Sequence, residues 1–305
     1  MVFDFEARLQ ELKEKGELTF EKEKPLSTLC TFRIGGNAEY AVFPRSEEGF
    51  IEAYNAAREA NLNPRVLGNG SNVLFPDEGC RGVLIFLSSM RGASFKNGIL
   101  TAKAGESVTS LALKAQKKGL SGLEFYYGIP GSVGGAVYMN AGAYEHSTSE
   151  VLIKSRCFHP ESGKVTELDA PAHDFGYRHS VYMTNGAIIL TATYALKPGD
   201  PAAVKAQMDD YMRRRRDKQP LEFPSAGSVF KRCPGHYTGK LIEDAGLKGK
   251  RIGGAEVSTK HAGFIINVGG ATAKDVKDLV SFIQERIFEV YGLRIERELI
   301  YFEKE

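Results

Sequence analysis

Two glycine clusters constrain this chain more than any other feature. The stretch Gly128-Ile-Pro-Gly-Ser-Val-Gly-Gly-Ala-Val-Tyr-Met-Asn-Ala-Gly-Ala-Tyr144 carries five glycines and no charged side chain, and a shorter cluster, Leu67-Gly-Asn-Gly-Ser-Asn-Val73, follows a strand-like run. Glycine turns let backbone N–H groups approach a phosphate with no side chain in the way. One such turn is more often only a tight turn. Two neutral clusters, the second also holding Ser132 and Asn140, suit a pyrophosphate gripped by uncharged donors, and so a cofactor with two phosphates. Neither cluster has G-x-G-x-x-G spacing, and residues 235–240 have three residues between their glycines and Leu241 where Ser or Thr is needed, so the usual nucleotide folds are disfavoured.

The length of 305 residues allows two or three domains. Forty Lys and Arg against 38 Asp and Glu leave +2, too even a balance for a chain that grips nucleic acid along its length. The longest apolar runs are strand-sized, so no membrane span is expected. The first 16 residues lack the apolar core of a secretory signal, which makes the cytoplasm the default location. Cys30, Cys80, Cys157 and Cys233 stand singly and are expected to be reduced, and six histidines without ligand spacing argue against a catalytic metal.

Apolar residues at helical spacing predict a short helix before Gly16, with Phe5, Leu9 and Leu12 on one face. A second helix is predicted over 47–60, capped by Ser46 with Ile51, Tyr54 and Ala57 inward. Strands are predicted at 41–43, 64–67 and 83–87, completing a small α/β unit. A β-rich unit follows over roughly 85–200, with a helix capped by Ser107 and stopped at Gly119. The turn cluster 197–201 predicts a domain boundary, then a helix over 202–216. A capping pair, Thr272 and Asp275, opens the last helix, which runs to Gly292, and 293–302 reads as a closing strand on which Glu296 and Glu298 share a face.

Single residues add local chemistry. Arg213-Arg-Arg-Arg-Asp-Lys218 complements a helix C-terminus and, with Lys231, Arg232, Lys240, Lys248, Lys250 and Arg251, makes 213–260 locally basic, which favours an anionic small molecule. Arg178, in Phe175-Gly-Tyr-Arg-His-Ser180, can clamp a carboxylate bidentately, although alone it reads as an ordinary salt-bridge residue. Pro224-Ser-Ala-Gly-Ser-Val-Phe-Lys231 puts two serines on a small-residue turn, without the surroundings of a serine hydrolase.

Taken in order, Thr31-Phe-Arg-Ile-Gly-Gly-Asn-Ala38, Gly68-Asn-Gly-Ser-Asn72, Gly128-Ile-Pro-Gly-Ser-Val-Gly-Gly135, Tyr177-Arg-His-Ser180, Ser225-Ala-Gly-Ser-Val-Phe-Lys231 and Glu298 closely resemble the UDP-N-acetylenolpyruvoylglucosamine reductases. The resemblance spans about residues 25–302 and looks like the shorter, insertion-free type. It implies an α+β protein: a two-lobed FAD-binding fold of the vanillyl-alcohol-oxidase type plus a C-terminal α/β substrate-binding lobe. The expected lobes are 1–84 and 85–200 for FAD, 201–292 for substrate, and a closing strand 293–305 bearing the glutamate.

The same resemblance implies non-covalent FAD held by Arg33, Gly68, Asn69, Gly70, Ser71, Asn72, Gly128, Pro130, Gly131, Ser132, Gly134, Gly135, Asn140 and Gly142. It implies reduction of an enolpyruvyl ether of UDP-N-acetylglucosamine to the lactyl ether of UDP-N-acetylmuramate, with hydride passing from NADPH through the flavin N5 to substrate C3 and a proton arriving at C2. Arg178 matches the arginine that binds the substrate carboxylate, Ser228 the serine that gives the proton, and Glu298 the glutamate at the carboxyl end. Tyr177, Arg215, Lys218, Lys231 and Lys240 are the candidate substrate contacts, and for the aromatic Tyr126, Tyr127, Tyr177 and Tyr237 the alternatives are packing on flavin, on uracil or in the core, with core the default. NADPH and substrate are expected to share one site in turn on a monomer, with no nucleic acid, metal or membrane. Arg297 stands where this family often carries proline, and Leu299 where valine is common. The competing assignments are another flavin oxidase of the same superfamily and a non-catalytic nucleotide-binding protein.

Overall fold

The computed structural model describes residues 4–303, which divide into two compact units. The first comprises residues up to Lys22, Tyr40–Asn69 and Gly82–Arg213; the second comprises Glu23–Glu39, Gly70–Arg81 and residues from Arg214 onward. The expected boundary at 197–201 is a turn in which Lys197–Pro198 pairs with Leu120–Ser121, and the units divide further on, inside the helix Pro201–Lys218.

In the first unit, the helix Phe5–Glu14 buries Phe5, Leu9 and Leu12, and Asp4 caps it by accepting from Ala7 N. The helix Glu47–Glu59 starts where Ser46 accepts from Gly49 N at 2.9 Å. Its inward stripe is Phe50, Ala53, Tyr54 and Ala57; the expected Ile51 is only half-buried, because the larger Phe50 takes the core position against Phe158, ring centroids 5.8 Å apart. This helix links strands of a four-stranded sheet ordered Leu18–Pro25, Asn37–Pro44, Cys80–Phe86 and Pro64–Leu67, the last two parallel. A second, antiparallel sheet runs Lys164–Asp169, Leu152–His159, Ile188–Ala195, Ile99–Lys103 and Ala93–Lys96. One apolar core serves both sheets, and each large side chain it buries contributes about 1.5–3 kcal/mol.

In the second unit, an antiparallel sheet ordered Ser225–Ser228, Phe264–Asn267, Ala255–Val257 and Arg251–Ile252 packs with the helix Ala273–Tyr291. The predicted capping box is present: Thr272 accepts from Asp275 N, and Asp275 from Thr272 N, both at 3.0 Å. Asp77 satisfies two further amides, Ala273 N at 2.7 Å and Lys274 N at 3.1 Å. Gly292, at φ +68°, ends the helix.

Two expectations are corrected here. The closing strand is only Ile300–Tyr301, paired parallel with Val73–Leu74, because Glu298 N and Leu299 N both donate to Val229 O and so interrupt any regular ladder. Glu296 and Glu298 therefore do not alternate along a strand; Glu296 pairs with Lys231 Nζ at 3.1 Å. The segment 225–228 is a bulged strand rather than a turn, with the four residues Ser225 to Ser228 opposing the three from Ile266 to Phe264.

Candidate active site

The glycine clusters owe their composition to close backbone approach. A β-carbon on Gly68 would fall 2.2 Å from Ser132 Oγ, so the end of the strand Pro64–Leu67 and the start of the helix Val133–Tyr138 meet only because residue 68 has no side chain. Gly134 packs the same way against Ala104, which would lie 3.1 Å from an added β-carbon. The first amides of that helix are used internally: Val133 N donates to Glu106 O, Gly134 N to Ala104 O and Gly135 N to Ser132 Oγ. By contrast, the amides of Asn69, Gly70, Ser71, Gly131 and Ser132 donate to no acceptor among the described residues. That leaves neutral N–H groups on each cluster, the kind of donor from which a phosphate oxygen accepts.

Downstream of the second cluster lies an arginine turn. Gly176 and His179 exchange backbone hydrogen bonds of 3.2 and 3.3 Å around Tyr177 and Arg178, and Arg178 takes φ +52°, a position that favours glycine. Holding a side chain there costs about 1–2 kcal/mol. Neighbouring groups from the glycine-rich segment brace it: Asn140 Nδ2 donates to Gly176 O at 2.9 Å, Ser180 Oγ to Tyr138 O at 2.7 Å, and Arg178 Nη2 to Gly142 O at 3.4 Å. Asn140 also accepts from Ser149 N, so its amide works within the protein in both directions. Tyr177 is 53% exposed, with the Arg178 guanidinium 5.3 Å from its ring centroid. Tyr126 is core, hydrogen-bonded to Thr148, and burial pushes its hydroxyl up to about 12.

In the second unit, Gly227 at φ +78° forms the bulge that sets the direction of Ser228. Val229 N donates to Gly263 O, while Val229 O accepts from Glu298 N at 2.8 Å and Leu299 N at 3.2 Å. Ser228 thus immediately precedes the residue whose carbonyl takes the Glu298 amide. Asn72 Nδ2 holds Glu298 O at 3.2 Å. The segment carrying Arg33, itself exposed and at φ +55°, joins the same assembly: Thr31 Oγ1 donates to Ser225 O at 2.7 Å and Thr31 N to Gly70 O at 3.1 Å. Arg297, the residue in place of the common proline, lays its guanidinium 3.5 Å from the Tyr301 ring centroid and donates to Leu299 O, backing the segment that carries Glu298.

The basic candidates are dispersed. Lys231 is paired with Glu296, and Lys240 with Asp244 one turn along its own helix, which raises the lysine's proton affinity. Lys218 is exposed and Arg215 half-buried on the helix Pro201–Lys218. His261 is a neighbour of this site that no motif in the sequence marks. Burial holds its ring below the ordinary histidine range, Nδ1 accepts from Gly263 N at 3.1 Å, and a β-carbon on Gly263 would lie 3.7 Å from Ser228 Oγ.

Comparison with known proteins places the chain. A family profile described as an FAD binding domain matches residues 38–169, and one described as the UDP-N-acetylenolpyruvoylglucosamine reductase C-terminal domain matches residues 219–302. The UDP-N-acetylenolpyruvoylglucosamine reductase of Levilactobacillus brevis is 46% identical over 278 residues, covering 91% of each chain. The chain belongs to the UDP-N-acetylenolpyruvoylglucosamine reductase family. The reductase of Clostridium novyi is 43% identical over 97% of this chain and 95% of its own. The crystal structure of the Thermus caldophilus reductase superposes with a TM-score of 0.80 at 33% identity, covering 94% of this chain and 99% of that one. The α+β FAD-binding fold expected of a reductase of this family is borne out, as is FAD as the two-phosphate cofactor, and the open amides of the two glycine clusters fit it. Among the described residues no cluster of His, Cys, Asp and Glu is placed to hold a metal, no helix is long and apolar enough to cross a membrane, and all four cysteines are buried and outside any disulfide.

Proposed function

We infer that the chain is an NADPH-dependent flavoenzyme that reduces UDP-N-acetylglucosamine enolpyruvate to UDP-N-acetylmuramate, a step of peptidoglycan synthesis. The observation that supports the assignment to this chain's own residues is the hydrogen bond from Glu298 N to Val229 O, which joins the two segments bearing the expected proton donor, Ser228, and the expected glutamate.

When bound, FAD supplies a carrier that takes hydride from NADPH and delivers it to the substrate. The chain must supply what an electron-rich enol ether lacks. Hydride addition at C3 pushes negative charge onto the carboxylate, and a fixed cation stabilises charge that grows in the transition state. Arg178 has that role: the braced left-handed turn presents a guanidinium with its direction already set, at strain met during folding rather than during reaction. A serine hydroxyl is a weak acid, but the carbanion-like species left at C2 is a strong base, and Ser228 on its bulged strand donates to it. Glu298 sits at the carboxyl end, its backbone fixed by Val229 and Asn72.

The finer assignments follow the same account. Arg33, residues 68–72 and the 128–142 run hold FAD, with Asn69, Gly70, Ser71, Gly131 and Ser132 offering the amides and Asn140 bracing the arginine turn. Tyr177, Arg215, Lys218, Lys231 and Lys240 serve the nucleotide diphosphate, which competes with Glu296 for Lys231. Residues 1–84 and 85–200 form the flavin lobes, 201–292 the substrate lobe, and 293–305 carries the glutamate. NADPH and substrate occupy one site in turn on a cytoplasmic monomer. Substrate-dependent NADPH oxidation by the flavin-loaded protein tests the assignment; oxygen consumption with an alcohol, or no turnover with UDP-N-acetylglucosamine enolpyruvate, would refute it.

A further inference from the structure

The reaction as described leaves unused a chain of buried polar groups beside the arginine turn. Ser155, His173 and Tyr182 are 1%, 0% and 2% exposed and come from the strand Leu152–His159, the turn Ala170–His173 and the helix Tyr182–Asn185. Ser155 Oγ lies 2.7 Å from His173 Nε2 and 2.5 Å from Tyr182 Oη. His173 Nδ1 lies 3.2 Å from Ala170 O, which only accepts, so Nδ1 carries the proton and a neutral ring leaves Nε2 as acceptor. Ser155 then donates to His173 and accepts from the Tyr182 hydroxyl.

The two partners of Ser155 are the two ends of the segment bearing Arg178. His173 precedes the turn and Tyr182 follows it, with Val181 N donating to His173 O at 2.8 Å to close the loop. Phe175 stacks on the His173 ring with centroids 5.0 Å apart and planes 6° from parallel. A left-handed arginine persists only where its surroundings over-determine it. Asn140 and Ser180 hold the turn from the glycine-rich segment, and Ser155 holds both of its ends from beneath.

We propose that Ser155 is a positioning residue for the reduction, binding His173 and Tyr182 at once and thereby fixing the loop that presents Arg178 to the substrate carboxylate. The proposal rests on the assignment of Arg178 to that carboxylate. It also makes the step depend on a neutral His173. The groups facing the ring are Tyr182, uncharged Ser155 and, by its charge, Asp169, with Cys157 beside Tyr182. Burial lowers the proton affinity of His173 more than the Ala170 and Asp169 carbonyls and the Asp169 charge raise it. The acid limb therefore lies below the ordinary histidine value of about 6.5.

The test is rapid-mixing kinetics of the two half-reactions in the flavin-loaded enzyme. Ser155→Ala should slow substrate reduction about tenfold or more and weaken substrate binding, while flavin reduction by NADPH changes less than about twofold. His173→Gln keeps an acceptor near the Nε2 position and cannot be protonated, so it should retain the rate and lose the acid limb; His173→Phe should behave like Ser155→Ala. If Ser155→Ala does not fold, Tyr182→Phe, which removes one donor to the same oxygen, should show the smaller effect in the same half-reaction. Equal slowing of both halves, or an acid limb unchanged in His173→Gln, overturns the proposal. Arg178→Ala serves as the control. If it slows substrate reduction and Ser155→Ala does not, the positioning role alone falls; if Arg178→Ala has no effect, the carboxylate assignment falls and the proposal with it.

Discussion

Gly68 and Ser132 approach so closely that a β-carbon on the glycine would stand 2.2 Å from the serine hydroxyl. This contact brings the first residue of one glycine cluster against Ser132 of the other, more than sixty residues away in sequence. Gly68→Ala forces Ser132 off its capping position, an overpacking cost of about 1–3 kcal/mol. Flavin titration of the apoprotein should show FAD affinity reduced about tenfold or more, with far-UV dichroism unchanged; unaltered affinity would remove the cluster from the cofactor site.

Arg178 separates backbone strain from charge. Arg178→Ala removes the guanidinium and keeps the strained φ, whereas Arg178→Gly removes both. The glycine variant should be more stable than the alanine variant by about 1 kcal/mol in urea unfolding, and both should be severely slowed in substrate reduction. Arg178→Lys should be nearly as slow as Arg178→Ala, because an ammonium cannot reproduce the planar two-point grip on a carboxylate.

Acid stability should depend on Glu106. Burial pushes its carboxyl up, but hydrogen bonds from Lys114, Ser110 and Gly92 and the charge of Lys114 outweigh burial and hold it below the usual carboxylate value. A group depressed on folding contributes stability above its unfolded pKa, and that contribution is lost as pH falls through the folded value. Thermal melts of Glu106→Gln should therefore lie below the parent at pH 7 and approach it below about pH 4. A constant gap across that range would contradict the assignment.

Periodicity and capping made much of the architecture legible. Ser46, Ser107 and Thr272 cap helices at the residues where the sequence signals them, and Gly292 ends the last helix, because these are local interactions within one turn. The short helix Val133–Tyr138 was hidden by its glycines, since Gly134 and Gly135 answer to packing against Ala104 and Ser132 rather than to helix propensity. The closing strand was overextended because alternation along 293–302 does not reveal that Val229 O takes two donors from Glu298 and Leu299. Motif order pointed to Arg178, Ser228 and Glu298, but no local pattern marks an arginine at positive φ or a buried serine tying His173 to Tyr182. Those features exist only once distant segments have packed.

The central claim is that Ser228 donates the proton that completes substrate reduction. Anaerobic rapid mixing of Ser228→Ala tests it most directly, following flavin reduction by NADPH and then flavin reoxidation by UDP-N-acetylglucosamine enolpyruvate in separate experiments. The first rate should stay within about twofold of the parent while the second falls by several orders of magnitude, since only the second needs the hydroxyl proton. Comparable slowing of both rates, or a second half-reaction that proceeds normally, would contradict the account.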